Sequence, residues 1–364
     1  MRTAIAGIGV VSGFGYGIEK LRRTLIAGKC APEIIPLKIK NQTAELPVYI
    51  CNTSPLEKFI NKRALRRVDH FSRLAALGSF LALEDAGVLK EDHQKLALIV
   101  ATGYGASRTT FSFLDTAFDD GDACASPTFF SNSVHNAAAA HVSILLKAKG
   151  PNLTVSQFEM SVPSAMLTAR QWLEDKVVDA VLLGGVDEYC SVLGYCWHRF
   201  FGPDPATSMK PLEWSAQSAV IGEGSAFFLL TRDEGNKPKY GFIKDIQIGH
   251  VEKFKPRSPE GIFLFLGADG QKSSANHYAR HVPHGTRSAV YTSLIGSFPA
   301  SFAFDVAIAG LSIHKRTIYA TPEQAGDNSG LKVFRKEQRL ASDQICCLKF
   351  SCKGEFAMIT LSAT

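Results

Sequence analysis

The chain has 364 residues, 46% hydrophobic and 20% charged, the balance of a globular protein able to bury a sizeable core in one large domain or two ordinary ones. Its 40 Lys and Arg against 34 Asp and Glu leave a net charge of +6, which suits an acidic protein partner or an anionic ligand. The basic residues are scattered, without a Cys/His finger, a basic-aromatic module or an Arg-rich tail, so no nucleic-acid partner is expected.

From the N-terminus, Thr3–Val11 reads as a strand. Met1-Arg2 followed by the apolar run Ala4–Val11 looks superficially like a signal peptide. Gly7, Gly9 and Gly13 break the run, however, and no small-residue cleavage site follows. Ile18–Ala27 reads as a helix closed by Gly28. Val68–Ala86 reads as an amphipathic helix with Phe71, Leu74, Leu77 and Leu81 on one face and Gly87 as its stop. Leu96–Ala101 is a continuous apolar run of the kind buried on both faces of a parallel sheet, and Leu153–Ser156, Ala180–Leu183 and Ala226–Leu230 read the same way. Ser161–Leu173 is helical between two of them.

A hydrophilic break at Arg232–Lys239 divides the chain into halves, 1–234 and 235–364. A Pro-containing loop follows at Phe254–Gly261. Beyond it come a strand at Ile262–Gly267, a helical patch at Phe302–Gly310 and a terminal hairpin pairing Gln344–Phe350 with Phe356–Ser362 through Gly354. The alternation argues for an α/β layered fold. No run has the length of a transmembrane helix. None of the eight cysteines forms a CxxC pair or stands at zinc-ligand spacing. Reduced thiols in a cytoplasmic protein, with no metal and no cofactor, are the expectation.

Several phrases resemble, in order, the ketosynthase family of fatty-acid and polyketide synthesis. They are Ala6-Gly7-Ile8-Gly9-Val10-Val11-Ser12, Leu25-Ile26-Ala27-Gly28, Asp69-His70-Phe71, Ala101-Thr102-Gly103-Tyr104-Gly105, Gly150-Pro151-Asn152, Gly184-Gly185-Val186-Asp187-Glu188 and Gly222-Glu223-Gly224-Ser225. They spread over most of residues 1–232; the second half matches poorly and is short for the family. The resemblance implies a thiolase-like fold, two pseudo-repeated halves in an α-β-α-β-α arrangement.

It also implies where chemistry should lie. The family acylates a Cys at a sharp strand-to-helix turn, uses two His residues on the malonyl unit, and holds an oxyanion with backbone N–H groups. Laid over this chain without a gap, the Cys position falls on Glu159, a residue that cannot carry a thioester but is electrostatically comfortable at a helix start. Asp269 takes the first His position, in Ala268-Asp269-Gly270-Gln271 after the strand. His284-Gly285-Thr286 matches that motif literally but follows no apolar strand and is read as a decoy. Ser297 takes the second His position, and Thr292 stands where the family has Lys. The C-terminal Gly-rich loop is reduced to Lys349-Phe350-Ser351-Cys352-Lys353-Gly354-Glu355.

Among ketosynthase relatives this pattern resembles the chain-length factor of two-subunit (type II) polyketide synthases, a non-catalytic partner that forms a heterodimer with an active ketosynthase. Glu159 departs from the Gln usual there. The compact second half points to a divergent branch such as the one serving aryl-polyene pigments. The resemblance places a tunnel wall at Tyr104, Phe111, Phe113, Leu114 and Phe118, with Phe129, Phe130, Asn132 and His135 in the next loop and helix start. It places docking of an acyl carrier protein on Arg63, Arg66 and Arg67 at the start of the long helix. Ordinary core packing and a solvated helix face are the competing readings of these two sets. His141 reads as a core or interface histidine. Two other functions stay open: malonyl decarboxylation supported by Glu159 or Gln157, and a carrier-protein docking module without a tunnel. A synthase using another cysteine is disfavoured, since Cys190 and Cys196 are expected to lie away from the turn.

Overall fold

The first half runs β1 (Thr3–Ser12), α1 (Ile18–Ala27), β2 (Glu33–Ile39), β3 (Gln42–Tyr49), α2 (His70–Asp85), β4 (Ala97–Thr102), α3 (Ser107–Asp120), α4 (Pro127–Asn132), α5 (Ala137–Leu146), β5 (Asn152–Ser156), α6 (Ser161–Glu174), β6 (Ala180–Asp187), α7 (Ser191–Phe201), β7 (Ile221–Gly222) and β8 (Gly224–Arg232). The second half runs β9 (Phe242–His250), β10 (Phe263–Leu266), α8 (Lys272–His281), β11 (Arg287–Ala289), α9 (Phe302–Lys315), β12 (Lys332–Val333), β13 (Gln344–Phe350) and β14 (Glu355–Ser362). This computed structural model describes residues 2–39, 42–202, 206–233, 235, 238–253, 256, 261–327 and 330–364.

Among the described residues, the main sheet follows the order β12-β11-β10-β13-β14-β9-β1-β8-β6-β4-β5. It contains a repeat that is invisible in the sequence. β1-β8-β6-β4-β5 pair antiparallel, antiparallel, parallel, parallel. β9-β14-β13-β10-β11 repeat the same succession. Only Thr3↔Ile243 and Ala4↔Phe242 join the two sets through β1 and β9. Helices α6 and α9 each touch strands of both sets and form the middle layer; α2 and α5 cover the outer face of the first set, and α8 that of the second. This is the five-layered α-β-α-β-α arrangement. On this repeat we propose that the chain divides within 232–239, where Glu234, Asn236 and Lys237 lie outside the described residues. Of the loop 254–261, only Pro256 and Gly261 are described.

Local chemistry accounts for the elements that position the site. Asp69 caps α2, its carboxylate accepting the Ser72 N–H at 2.8 Å, and the chain leaves the helix through Gly87 at φ 77°. The helix is not amphipathic as expected. It is buried nearly all round, because β1 and β8 cover one side and α5 the other. A Cβ on Gly9 would be driven into the α2 backbone at Gly78 and Ala82, which is why that strand carries glycine. A second correction concerns β5. It was read as buried on both faces, but it pairs with β4 alone and is the sheet's partly exposed edge. The hairpin of β2 and β3, joined by β7 in a separate small sheet, has no counterpart in the sequence reading.

Candidate functional site

Three chain segments converge at the end of β5. Phe158 turns the chain sharply with φ 47°, an uncommon conformation for a bulky residue, and Glu159 follows in a short 3-10 turn that leads into α6. Ser161 ties the turn down, accepting from the Gln157 N–H at 2.7 Å. Gly103, beyond β4, leaves just enough room for Pro299 and for Phe158, whose Cα would lie 3.3 Å from a Cβ there. Asp187, at the end of β6, locks these segments together. Its Oδ1 accepts from the Thr102 hydroxyl (2.7 Å), the Gly103 N–H (2.9 Å) and the Tyr104 N–H (2.8 Å), and its Oδ2 from the Ala300 N–H (2.8 Å).

Asp269 and Ser297 do come together, and two residues the sequence reading did not assign to the site join them. The Lys349 ammonium, from β13, reaches Asp269 Oδ2 at 3.0 Å and the Gly267 carbonyl at 2.8 Å. The Ser297 hydroxyl donates to the same Asp269 oxygen at 3.0 Å. The Gln271 amide donates to Ser297 Oγ at 3.0 Å and sits 3.3 Å from Asp269 Oδ2. Lys349, Asp269 and Ser297 are all buried. Burial works against the Lys349 charge, but Asp269, Glu159 and Asp305 more than offset it and hold the amine's pKa above its ordinary value. Asp305 on α9 is buried without a hydrogen-bond partner for either oxygen, and burial pushes it up to about 7. Thr292, which the sequence resemblance sets against the family's Lys, donates to the Ala268 carbonyl. A lysine thus reaches this region from β13.

Glu159 borders two cavities, of about 530 and about 310 Å³, and Phe158 and Cys352 line both with it. Burial raises the Glu159 pKa, with Lys349 pulling the other way. Gln271 lines the smaller cavity; Asp269, Ser297 and Lys349 line neither. In the reduced C-terminal loop, the N–H groups of Lys353 and Glu355 point at Ser351 Oγ (3.2 and 3.1 Å), and that of Gly354 points at the Ser351 carbonyl (3.3 Å). Those amides are therefore engaged within the turn.

Of the tunnel set, only Tyr104 lines either cavity; its ring stands edge-on to Phe158 at 6.3 Å. Phe111, Phe113 and Leu114 are half-buried on α3, while Phe118, Phe129 and Phe130 are exposed, Phe118 by 82%. Asn132 is a strut: its amide donates to the Arg67 carbonyl at 2.8 Å and accepts from His141 Nε2 at 3.0 Å. His135 packs its ring against Gly105. Arg63, Arg66 and Arg67 are exposed, but they lie in the turns before α2 rather than on the helix, because Asp69 sets its start. His284 is exposed in the turn after α8, which precedes it rather than follows it. Cys196 is corrected: α7 folds back so that this thiol lines the smaller cavity with Glu159, whereas Cys190 is buried and lines neither cavity.

Residues 1–236 match the family model described as beta-ketoacyl synthase, N-terminal domain. The chain belongs to the beta-ketoacyl synthase family. It is 25% identical over 242 residues to the oxytetracycline polyketide putative beta-ketoacyl synthase 1 of Streptomyces rimosus, covering 63% of this chain and 57% of that protein. It is 21% identical over 249 residues to the 3-oxoacyl-[acyl-carrier-protein] synthase 2 of Vibrio cholerae, covering 65% and 59%. The matched part thus spans less than two thirds of these relatives. The fold extends over the whole chain. The structure titled "The ishigamide ketosynthase/chain length factor" superposes with a TM-score of 0.79 at 19% identity, covering 99% of this chain and 98% of that one. A beta-ketoacyl synthase from Burkholderia phymatum gives 0.80 at 15%, covering 99% of both chains. Among the described residues, no helix is long and apolar enough to cross a membrane.

Proposed function

We propose that this ketosynthase relative is a non-catalytic, chain-length-setting subunit that pairs with an active ketosynthase in type II polyketide or polyene synthesis. The observation that carries this reading is the state of the site. A carboxylate, Glu159, stands at the acylation turn, and the two positions that would hold histidines carry Asp269 and Ser297, bonded to each other and to Lys349. The chain therefore offers neither a nucleophile at the turn nor a free donor behind it. The sheet edge at β5 and the exposed Phe118, Phe129, Phe130 and Phe158 are features that a partner of the same fold would cover. Under this reading the tunnel set completes its wall only in the pair, which accounts for the absence of all its members but Tyr104 from the two cavities of the single chain. One fold neighbour is titled as a type II carrier protein in complex with its ketosynthase. Arg63, Arg66 and Arg67 are the exposed basic group that such an acidic partner would meet.

A second reading has one observation in its favour: Glu159 borders both cavities with a raised pKa, as a group supporting malonyl decarboxylation would. Co-expression with an active type II ketosynthase as partner, followed by size exclusion and a malonyl-consumption assay, separates the two. A one-to-one complex with all activity in the pair is expected. Malonyl consumption by this chain alone, abolished in Glu159→Ala, would overturn the non-catalytic reading.

A further inference from the structure

The two substituted histidine positions are not left as an empty hollow. Asp269, Ser297 and Lys349 are buried to within a few per cent, and none lines either cavity beside Glu159. Between them and the smaller cavity stands Gln271, which does line it and whose amide is held from behind by Ser297 and Asp269. Asp269 is in turn fixed by the ammonium of Lys349, a residue of a different strand, and that ammonium is anchored a second time on the Gly267 carbonyl. Such a chain of bonds resists opening, because breaking the Lys349–Asp269 link leaves a charge unpaired in a low-dielectric setting and breaking the others leaves a buried polar group unsatisfied.

We propose that Lys349 seals the pseudo-active site: through Asp269 it holds Gln271 as a fixed inner wall of the cavity beside Glu159, so that no small molecule enters the space around positions 269 and 297. Lys349 is thus a positioning residue, and the chain has been refilled as well as stripped of its reacting groups. The meaning of the seal rests on the reading above, but its test does not. It is made on the isolated full-length chain, so failure to pair with a ketosynthase leaves the result standing, and an open site says nothing about pairing.

The reporter is Ser297→Cys, with the native, exposed Cys352 as internal standard. Alkylation by iodoacetamide is followed peptide by peptide, each rate divided by that of the same thiol in urea. The thiol at 297 should react roughly a hundredfold more slowly than Cys352, its labelling being limited by opening of the structure. Adding Gln271→Gly, or the charge-neutral pair Lys349→Ala with Asp269→Ala, should raise the rate at 297 by about tenfold or more. Gln271→Gly removes no buried charge and keeps the test valid where the double replacement does not fold. Labelling at 297 as fast as at Cys352 in the otherwise native chain overturns the seal. So does protection that survives Gln271→Gly in a chain whose thermal unfolding is unchanged.

Discussion

The two halves of the molecule share one strand succession, and each buries an acid beyond or at the end of a strand, Asp187 on β6 and Asp269 after β10, at different places in that succession and in opposite ways. In the first half, Asp187 has no counter-ion among its bonded partners; one hydroxyl and three backbone N–H groups hold it. In the second half, Asp269 faces a buried ammonium, a hydroxyl and a side-chain amide. The first arrangement needs a Gly-rich loop that aims its amides inward, and Thr102-Gly103-Tyr104 supplies it. Around Asp269 the Lys349 ammonium takes that part, so charge is balanced by charge. The lesson is that one sheet can bury two acids by unlike means, and the two solutions should fail differently. Lys349→Met should destabilise the chain by about 3–5 kcal/mol in chemical denaturation, because it strands Asp269. Lys349→Met together with Asp269→Leu should recover most of that loss. Asp187→Asn, which disturbs hydrogen bonds but strands no ion, should cost only about 1–3 kcal/mol. A neutral Lys349→Met would break the comparison.

The next effect sharpens the electrostatic side. Asp305 in the middle layer has no donor of its own, and the charged groups acting on it are Lys349 and Asp269. Its folded-state pKa is raised to about 7, so the native chain keeps a proton that the unfolded chain releases above about pH 4. The unfolded state binds fewer protons in that window, and stability must fall as pH rises through it. The loss from this group should reach roughly 4 kcal/mol by about pH 7 and level off above it. Asp305→Asn, which mimics the protonated acid, should flatten the slope. An unchanged slope in thermal or denaturant unfolding between these limits would assign the pH dependence to another group.

The halves also differ in how much of them could be read. The first-half phrases are legible because backbone geometry dictates them: Gly9 lies against the α2 backbone, and Gly103 admits Pro299 and Phe158. The expectations at Glu159, Asp269 and Ser297 rest on such landmarks. Lys349 could not be read this way, because 80 residues separate it from Asp269 and only strand order brings them close; nor could Gln271, because the sequence does not show that its amide turns to Ser297, 26 residues on. The repeat itself is a succession of strand directions, which needs no matching side chains. The β2–β3 hairpin is masked by Pro36 and Pro47, residues that argue against a strand. The second half reads as compact for a structural reason. Between β1 and β4 lie α1, a hairpin and α2, whereas no described residue between β9 and β10 is helical. A packing test follows from the same contrast. Gly9→Ala should cost about 1–3 kcal/mol, since helix backbone blocks the added methyl. Gly249→Ala on β9 meets only the Phe356 ring at 2.8 Å, a side chain that can move, and should cost clearly less on the same denaturation curve.

The smallest effect separates two helix starts. Asp69 caps α2 with its own carboxylate, accepting the Ser72 N–H and the Ser72 hydroxyl at 2.8 Å each. Gln271 holds the same position on α8 but makes no cap bond, because its amide is turned to Ser297 and Asp269; the Lys272 N–H is satisfied instead by Gln217 Oε1 at 2.9 Å. Asp69→Ala should therefore cost about 1 kcal/mol and speed hydrogen exchange in the first turn of α2, while Asp69→Ser should retain most of the stability. Gln271→Ala should leave exchange in the first turn of α8 nearly unchanged, since no cap is lost there, and Gln217→Ala should quicken it. If Gln271→Ala loosens that turn as Asp69→Ala loosens its own, the Gln271 side chain is serving the helix rather than the buried charge cluster. The contrast between a half neutralised by backbone and a half neutralised by side chains would then fail at the residue that joins the cluster to the cavity.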